Sequence, residues 1–255
     1  MNLLLLDDDD FVGDGRAIVR DRRLKHVREI HRAALGETLR VGRIGGSVGV
    51  GRILQLGEEA LELEVECMDP PPPPLAVTLV FALPRPPTLR KVLEQGTAMG
   101  VKRFVAIGAK RVERSYWTSK SLRPEALRES FILGLEQGKD TVMPTLETCP
   151  RFAAFHRERW PELRALGRPF LADAGPALRW PSWDTSREAP AERILVVGPE
   201  GGFIEPEVAA WRDGGCEVMS LGPRTLRVET AVVALLGRMI GHGEAAESAA
   251  GLPPL

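Results

Sequence analysis

The chain has 255 residues, 44% hydrophobic and 27% charged, with a formal net charge of −1. That length suits one large domain or two ordinary ones, and the composition is globular rather than disordered or fibrous. Three scattered cysteines with no CxxC pair, and four histidines without ligand spacing, exclude a zinc knuckle or a disulfide framework and suggest no metal.

In chain order, Asn2–Leu6 reads as a strand. Its apolar part is too short for a signal-peptide core and runs into Asp7, Asp8, Asp9 and Asp10, so a cytoplasmic location with reduced thiols is expected. No stretch has the length of a membrane span. Residues 14–43 carry nine Arg/Lys against four Asp/Glu, either the electrostatic footprint of a polyanion partner or a solvated basic face. Within it Arg22–Leu35 reads as a basic helix ended by Gly36. Glu37–Arg43, Ser47–Leu56 and Ala60–Cys67 read as strands of a small barrel. Pro70–Pro74, five prolines in a row, can be neither helix nor central strand and predict a stiff linker. The expected domains are therefore 1–69, a barrel, and 75–255, an α/β domain.

After the linker, Leu75–Leu83 is a continuous apolar run, the pattern of a buried parallel strand. Leu89–Met99 and Glu125–Glu136 have helical periodicity, and Phe104–Ile107 lies between them as a strand. Phe170–Ala172, Ile194–Val197 and Glu217–Leu221 read as strands, and Glu207–Asp213 and Val228–Ile240 as helices. Alternating strands and helices predict a mainly parallel sheet. Val228–Ile240 is apolar nearly all round, so it is expected in a core or at a subunit interface.

Two loops follow strands and carry unusual residues. Gly198-Pro199-Glu200-Gly201-Gly202 lets backbone approach a ligand at the carboxyl edge of the sheet. It matches no phosphate-loop pattern, and Glu200 would repel a phosphate but tolerate a cationic ligand such as a sulfonium. By itself it could equally be a tight turn capping the helix near Pro206. Leu221-Gly222-Pro223-Arg224-Thr225-Leu226-Arg227-Val228-Glu229-Thr230-Ala231 sets two arginines and a carboxylate at a helix entrance. By itself it could be an Arg–Glu pair bracing the helix start.

Taken together and in order, these loops closely resemble the GPEGG and LGPRxLRxETA motifs of the bacterial 16S rRNA uridine-N3 methyltransferases, a branch of the SPOUT superfamily. Ala82-Leu83-Pro84-Arg85, Gly100-Val101, Glu113-Arg114-Ser115, Glu136-Gln137 and Val142–Pro144 resemble further segments of that family. So do His26 with Arg28, and Gly36-Glu37, in the first domain. The resemblance spans nearly the whole chain. It departs at Thr97-Ala98-Met99-Gly100, where the family carries an acidic residue, at the shortened Gln137-Gly138-Lys139, and at the opening Met1–Asp10.

The resemblance implies a PUA-like RNA-binding barrel (1–69) joined through the proline linker to a SPOUT domain with a trefoil knot, and a homodimer through the C-terminal domain. It implies S-adenosyl-L-methionine as cofactor, held by Ala172, Gly175, Gly198, Pro199, Glu200, Gly201, Gly202, Leu221, Gly222 and Leu226. The partner would be 16S rRNA or the assembled small ribosomal subunit. The implied reaction, methylation of N3 of a uridine, needs an acceptor for the N3 proton and donors for the anionic ring oxygens. Arginine is too weak a base. Arg227 with Arg224 is expected to stabilise the uracil anion, and Glu229 to orient an arginine or take the proton through water. Arg22, Arg23, Lys25, Arg28, Arg32, Arg114 and Lys139 are expected to hold RNA phosphates. A SPOUT enzyme acting on a ribose 2′-hydroxyl, and a non-catalytic RNA-binding protein of the same fold, remain the alternatives.

Overall fold

The computed structural model describes residues 2–13, 15–31, 33–173 and 192–249. The chain divides into two compact units, Met1–Pro73 with Phe131–Met143, and Pro74–Ser130 with Pro144–Leu255.

The first unit is a mixed six-stranded sheet of β1 (Leu4–Leu6), β2 (Phe11–Gly13), β3 (Arg16–Val19), β4 (Thr38–Arg43), β5 (Val48–Leu56) and β6 (Leu61–Asp69). Their order, β1-β4-β5-β6-β3-β2, is linear, so the sheet is a half-barrel. β1 runs parallel to β4 and the other neighbours are antiparallel. β1 explains why this unit recruits a segment from far along the chain. Side chains alternate across a strand. Leu4 and Leu6 enter the main core with Val41, Ile53 and Leu63, whereas Leu3 and Leu5 face the other way and pack with Val48 and Leu135. A strand apolar on both faces needs a second cover, and Leu135, flanked by Ile132 and Met143, supplies it.

The expected basic helix is shorter than its composition suggests. α1 spans Arg22–His26 and passes into a π-type turn, Val27–His31. Beyond it Ala34–Glu37 closes as a turn, with the Glu37 carboxylate accepting from the Ala34 N–H at 2.9 Å and Gly36 at φ +85°. A local carboxylate there competes with helical bonding. The acidic run and the basic segment pair with each other. All five N–H groups of Arg23 are used, by Asp10, Asp21 and the Leu5 carbonyl, and Asp8 meets Arg43 at 2.9 Å.

The second unit is a wholly parallel sheet of β7 (Val77–Ala82), β8 (Arg103–Ile107), β9 (Thr145–Cys149), β10 (Arg168–Ala172), β11 (Arg193–Val197) and β12 (Glu217–Met219), in the order β12-β10-β11-β7-β8-β9. β9 is an edge strand, which is why its polar sequence gave no strand signal. The helices are α2 (Pro86–Ala98), α3 (Pro124–Gly138), α4 (Phe152–Ala154), α5 (Trp160–Leu166), α6 (Glu205–Asp213) and α7 (Val228–Ala249), with a π-type turn at Phe155–Arg159. None of the described helices is long and apolar enough to cross a membrane.

Helices cover both faces of this sheet. On one, Val80, Val105, Leu171, Ile194 and Val196 pack with Trp160, Leu163, Val208 and Trp211. On the other lies α2, so close that a Cβ on Gly96 would meet the Phe104 ring at 2.8 Å, and α2 packs against α7. A trace of the expected knot would have to follow the connection between β10 and β11, where 174–191 lie outside the described residues.

The core under α5 and α6 holds a polar liability. Nε2 of His156 and Nε1 of Trp211 are buried with no hydrogen-bond partner among the described residues, and their rings lie 4.3 Å apart between centroids. Burial pushes the imidazole below its ordinary 6.5. The unfolded chain therefore takes this proton more readily than the folded one. Stability is whole above about pH 6.5 and falls as the pH drops below it, levelling off beneath the folded pKa. Thermal unfolding between about pH 7.5 and about pH 5 should show this loss, and His156→Phe should shrink it. Parallel losses in both proteins would assign the effect to other groups.

Candidate active site

Three parallel strands end side by side. Ala172, Val197 and Met219 close β10, β11 and β12, and the register pairs Ala172 with both of the others. Ligands in open α/β sheets bind outside the carboxyl ends of strands. A cavity of about 370 Å³ opens at this edge, floored by Ala172, Val197 and Met219 and walled by Asp173 and by the loops that follow Val197 and Met219. Its size is that of an ordinary small-molecule site, roughly 300–1,000 Å³.

The loop after β11 is held from three directions. Its turn closes through Gly202 N–H to the Pro199 carbonyl at 2.8 Å, with Gly202 in the left-handed region at φ +72°. Glu200 accepts from the Arg85 backbone N–H at 3.3 Å, at the start of α2. Arg111, in the loop after β8, donates through Nη1 to the carbonyls of Gly201 and Gly202. The cap of α6 is made by another residue. Glu207 accepts from Ile204 N–H at 3.0 Å and Lys110 N–H at 2.7 Å. The glycine loop is therefore free of the capping duty that would have explained it structurally. The loop after β12 turns at Gly222, φ +113°, with Ser220 Oγ accepting from the Gly222 N–H at 3.0 Å.

Nine of the ten residues expected to hold the cofactor line this one cavity: Ala172, Gly198, Pro199, Glu200, Gly201, Gly202, Leu221, Gly222 and Leu226. Gly175 lies outside the described residues. Of the three residues expected to act on substrate, Arg224 lines the cavity. Arg227 is exposed and does not line it; Glu229 is buried at the first turn of α7. The side-chain partner of Glu229 is Lys91 of α2, Nζ to Oε1 at 3.3 Å, rather than an arginine. Burial alone would raise the Glu229 carboxyl. Its own backbone N–H, Lys91 and the nearby Arg227 charge outweigh that and hold it below the ordinary 4.5. It is thus an ionised anchor and a weak base.

Sequence reasoning missed Lys91 and Arg111. Lys91 carries no motif and meets Glu229 only because α2 and α7 pack together. Arg111 follows Gly108 without any local pattern.

The expected phosphate-binding cations are dispersed. Arg22 is paired with Glu136 in a two-pronged bond of 2.9 and 3.1 Å. Arg23 is fully committed inside the first unit. Lys25 is exposed beside Glu29, and Arg28 donates to the Glu58 carbonyl at 3.2 Å. Arg32 lies outside the described residues. Arg114, on the turn Arg114–Thr118, and Lys139, at φ 57° after α3, are exposed and make no side-chain hydrogen bond or ion pair among the described residues.

The profile of the RNA methyltransferase domain matches residues 71–240, which include every residue lining the cavity. The chain belongs to the RNA methyltransferase domain family. Its relatives include a ribosomal RNA small subunit methyltransferase E of Treponema pallidum, 27% identical, the alignment covering 96% of this chain and 92% of that one. Another, of Aquifex aeolicus, is also 27% identical, covering 86% and 91%. Among solved structures, a Legionella pneumophila methyltransferase in complex with S-adenosylmethionine superposes with a TM-score of 0.72 at 18% identity, covering 94% of this chain and 97% of that one. A ribosomal RNA small subunit methyltransferase E from Neisseria gonorrhoeae, bound to S-adenosylmethionine, does so at 0.71 and 20%, with the same coverage. These likenesses show that the chain shares the fold of those two methyltransferases.

Within this family site, the Lys91–Glu229 contact is directly testable. Because Glu229 is more acidic folded than unfolded, its contribution is complete above about pH 4.5 and is lost as pH falls through the folded pKa. Lys91 is half exposed, so the pair itself contributes less than about 1 kcal/mol. In Lys91→Met the Glu229 side chain should titrate at higher pH by carbon-detected NMR, with little change in melting temperature. An unchanged titration would show that Lys91 does not hold the carboxylate.

Proposed function

We propose that this protein transfers the methyl group of S-adenosyl-L-methionine to N3 of a uridine in 16S ribosomal RNA of the small subunit. The observation that carries the reading is the convergence of two unusual loops, Gly198–Gly202 and Leu221–Leu226, on one cavity at the ends of three in-register strands. The relatives' names, both sequence motifs and the cofactor-bound structural neighbours agree with it.

The cavity suits this cofactor. Glycines bring backbone close to a ligand, and a Cβ on Gly198 would press on the Phe203 ring at 3.2 Å. Glu200 and Asp173 line it with negative charge suited to a sulfonium, and Val197, Met219, Val228 and Leu235 add apolar wall. The bound cofactor supplies an electrophilic methyl group.

The chain's own residues must hold and activate the uracil. N3 lies on the Watson–Crick edge, so the nucleotide enters unpaired or flipped out. Losing the N3 proton spreads negative charge over O2 and O4. Arg224, exposed and lining the cavity, is placed to donate to those oxygens. Arg227 and Glu229 act at the root of the same loop. Glu229, anchored by Lys91, fixes the entrance of α7, while water takes the proton. Residues 1–69, within the first unit, serve as the PUA-like RNA-binding domain ahead of the linker 70–74 and the methyltransferase domain 75–255. The apolar α7 supports a homodimer, and the protein works in the cytoplasm on the rRNA or the assembled subunit.

The test is transfer of tritium from labelled S-adenosylmethionine to small subunits from a strain lacking this gene, with the modified base mapped by mass spectrometry. Label on uridine N3 is the expected result. Label on a ribose hydroxyl would replace the target atom, and no label with cofactor bound would remove the activity. Arg224→Ala should lower kcat about 100-fold, the scale of losing one preorganised donor to a developing anion. Arg227→Ala should cost less, and the reverse order would reassign the donor.

A further inference from the structure

The cavity is lined by four charged side chains, Arg111, Arg224, Asp173 and Glu200. Their charges balance, so a bound sulfonium leaves the loaded site positive. Arg224 has a use in the proposed reaction and Arg111 has none. Arg111 is exposed, and its contacts among the described residues are to neutral carbonyls, Gly201 and Gly202, both through Nη1. Among the described residues no carboxylate forms an ion pair with it, and its Nε and Nη2, two parallel donors on the other edge of the guanidinium, make no hydrogen bond.

We propose that Arg111 is an RNA phosphate-binding residue, holding a phosphodiester beside the methylated nucleotide at the rim of the cavity. The inference rests on the proposed function, whose substrate strand it would grip. A guanidinium edge matches two phosphate oxygens, and such charge-assisted pairs are the strong ones. Fixing Nη1 on the loop carbonyls restricts the side chain in advance, so less rotamer entropy is lost when the phosphate arrives. Neutral anchors leave the full charge available, unlike Arg22 and Arg23, whose carboxylate partners cancel theirs. Gly201 leaves the side chain its room: a Cβ there would meet Arg111 Cδ at 3.0 Å.

The test measures kcat and KM for unmodified small subunits at several KCl concentrations and fixed magnesium, beside calorimetric cofactor affinity. It compares wild type, Arg111→Gln and Arg111→Lys. Arg111→Gln removes the charge, and its amide nitrogen stands where Nε stood, short of the loop carbonyls that Nη1 reaches. It should raise KM for subunits about five- to ten-fold, well beyond any change in kcat or cofactor affinity. The slope of log kcat/KM against log salt should become shallower by roughly 0.7, the loss of one phosphate contact to single-stranded RNA. Arg111→Lys should restore the slope and part of the KM. If Arg111→Gln weakens cofactor binding in step with turnover, Arg111 only braces the glycine loop and the proposal is overturned. An unchanged KM and salt slope would overturn it as well. A wild-type protein inactive on every subunit preparation would overturn the proposed function and this inference with it. Normal wild-type turnover with an unaffected Arg111→Gln would overturn the inference alone.

Discussion

The register that ends β10, β11 and β12 together is the constraint on which the site depends. Parallel strands that finish level send their loops out from one edge. The loops need not be near each other in sequence, and here they leave strands that end at Ala172, Val197 and Met219. The register is enforced by burial. Phe170, Leu171, Ile194, Leu195, Val196 and Met219 are fully buried, and a one-residue slip would turn each side chain to the opposite layer. Core packing thus sets the position of Gly198 and Leu221 before any ligand arrives.

Charge is arranged differently in the two units. In the first, the acidic run near the start folds back on the basic segment that follows it. Asp10 and Asp21 consume Arg23, Asp8 meets Arg43, and Glu136 takes Arg22. A stretch that looks strongly cationic along the chain is largely compensated in space. In the second unit Arg111 and Arg224 have no carboxylate partner among the described residues. Arg111 is held by carbonyls and Arg224 lines the cavity beside the glycine loop. Charge density along a sequence is therefore a poor guide to which cations are available to RNA.

Glu229 shows the same separation of pattern from role. Its place in a motif with two arginines suggests an arginine partner. The helix packing gives it Lys91, and the result is a carboxylate held ionised below its ordinary range. That favours an anchoring function over a proton-accepting one, because a more acidic carboxyl is a weaker base. The glycine loop is the converse case. Its alternative reading as a helix cap is displaced by Glu207, which caps α6 by itself.

The sequence by itself determined the alternation of strands and helices after the prolines, the burial of Val77–Ala82 and of Val228, Val232, Leu235, Leu236 and Met239 in α7, and both cavity loops. Each rests on a local signal: apolar runs, helical periodicity, or glycines next to a strand end. The edge strand β9 was illegible because it is polar, and β2 and β3 because three or four residues are too few to show an alternation. Four things were decided only in three dimensions: the recruitment of Phe131–Met143 by the two-faced strand β1, the Lys91–Glu229 contact, the neutralisation of the basic segment, and Arg111's reach to the glycine loop. Each joins residues far apart along the chain, and a pairing of that kind leaves no periodic trace in the residues that make it.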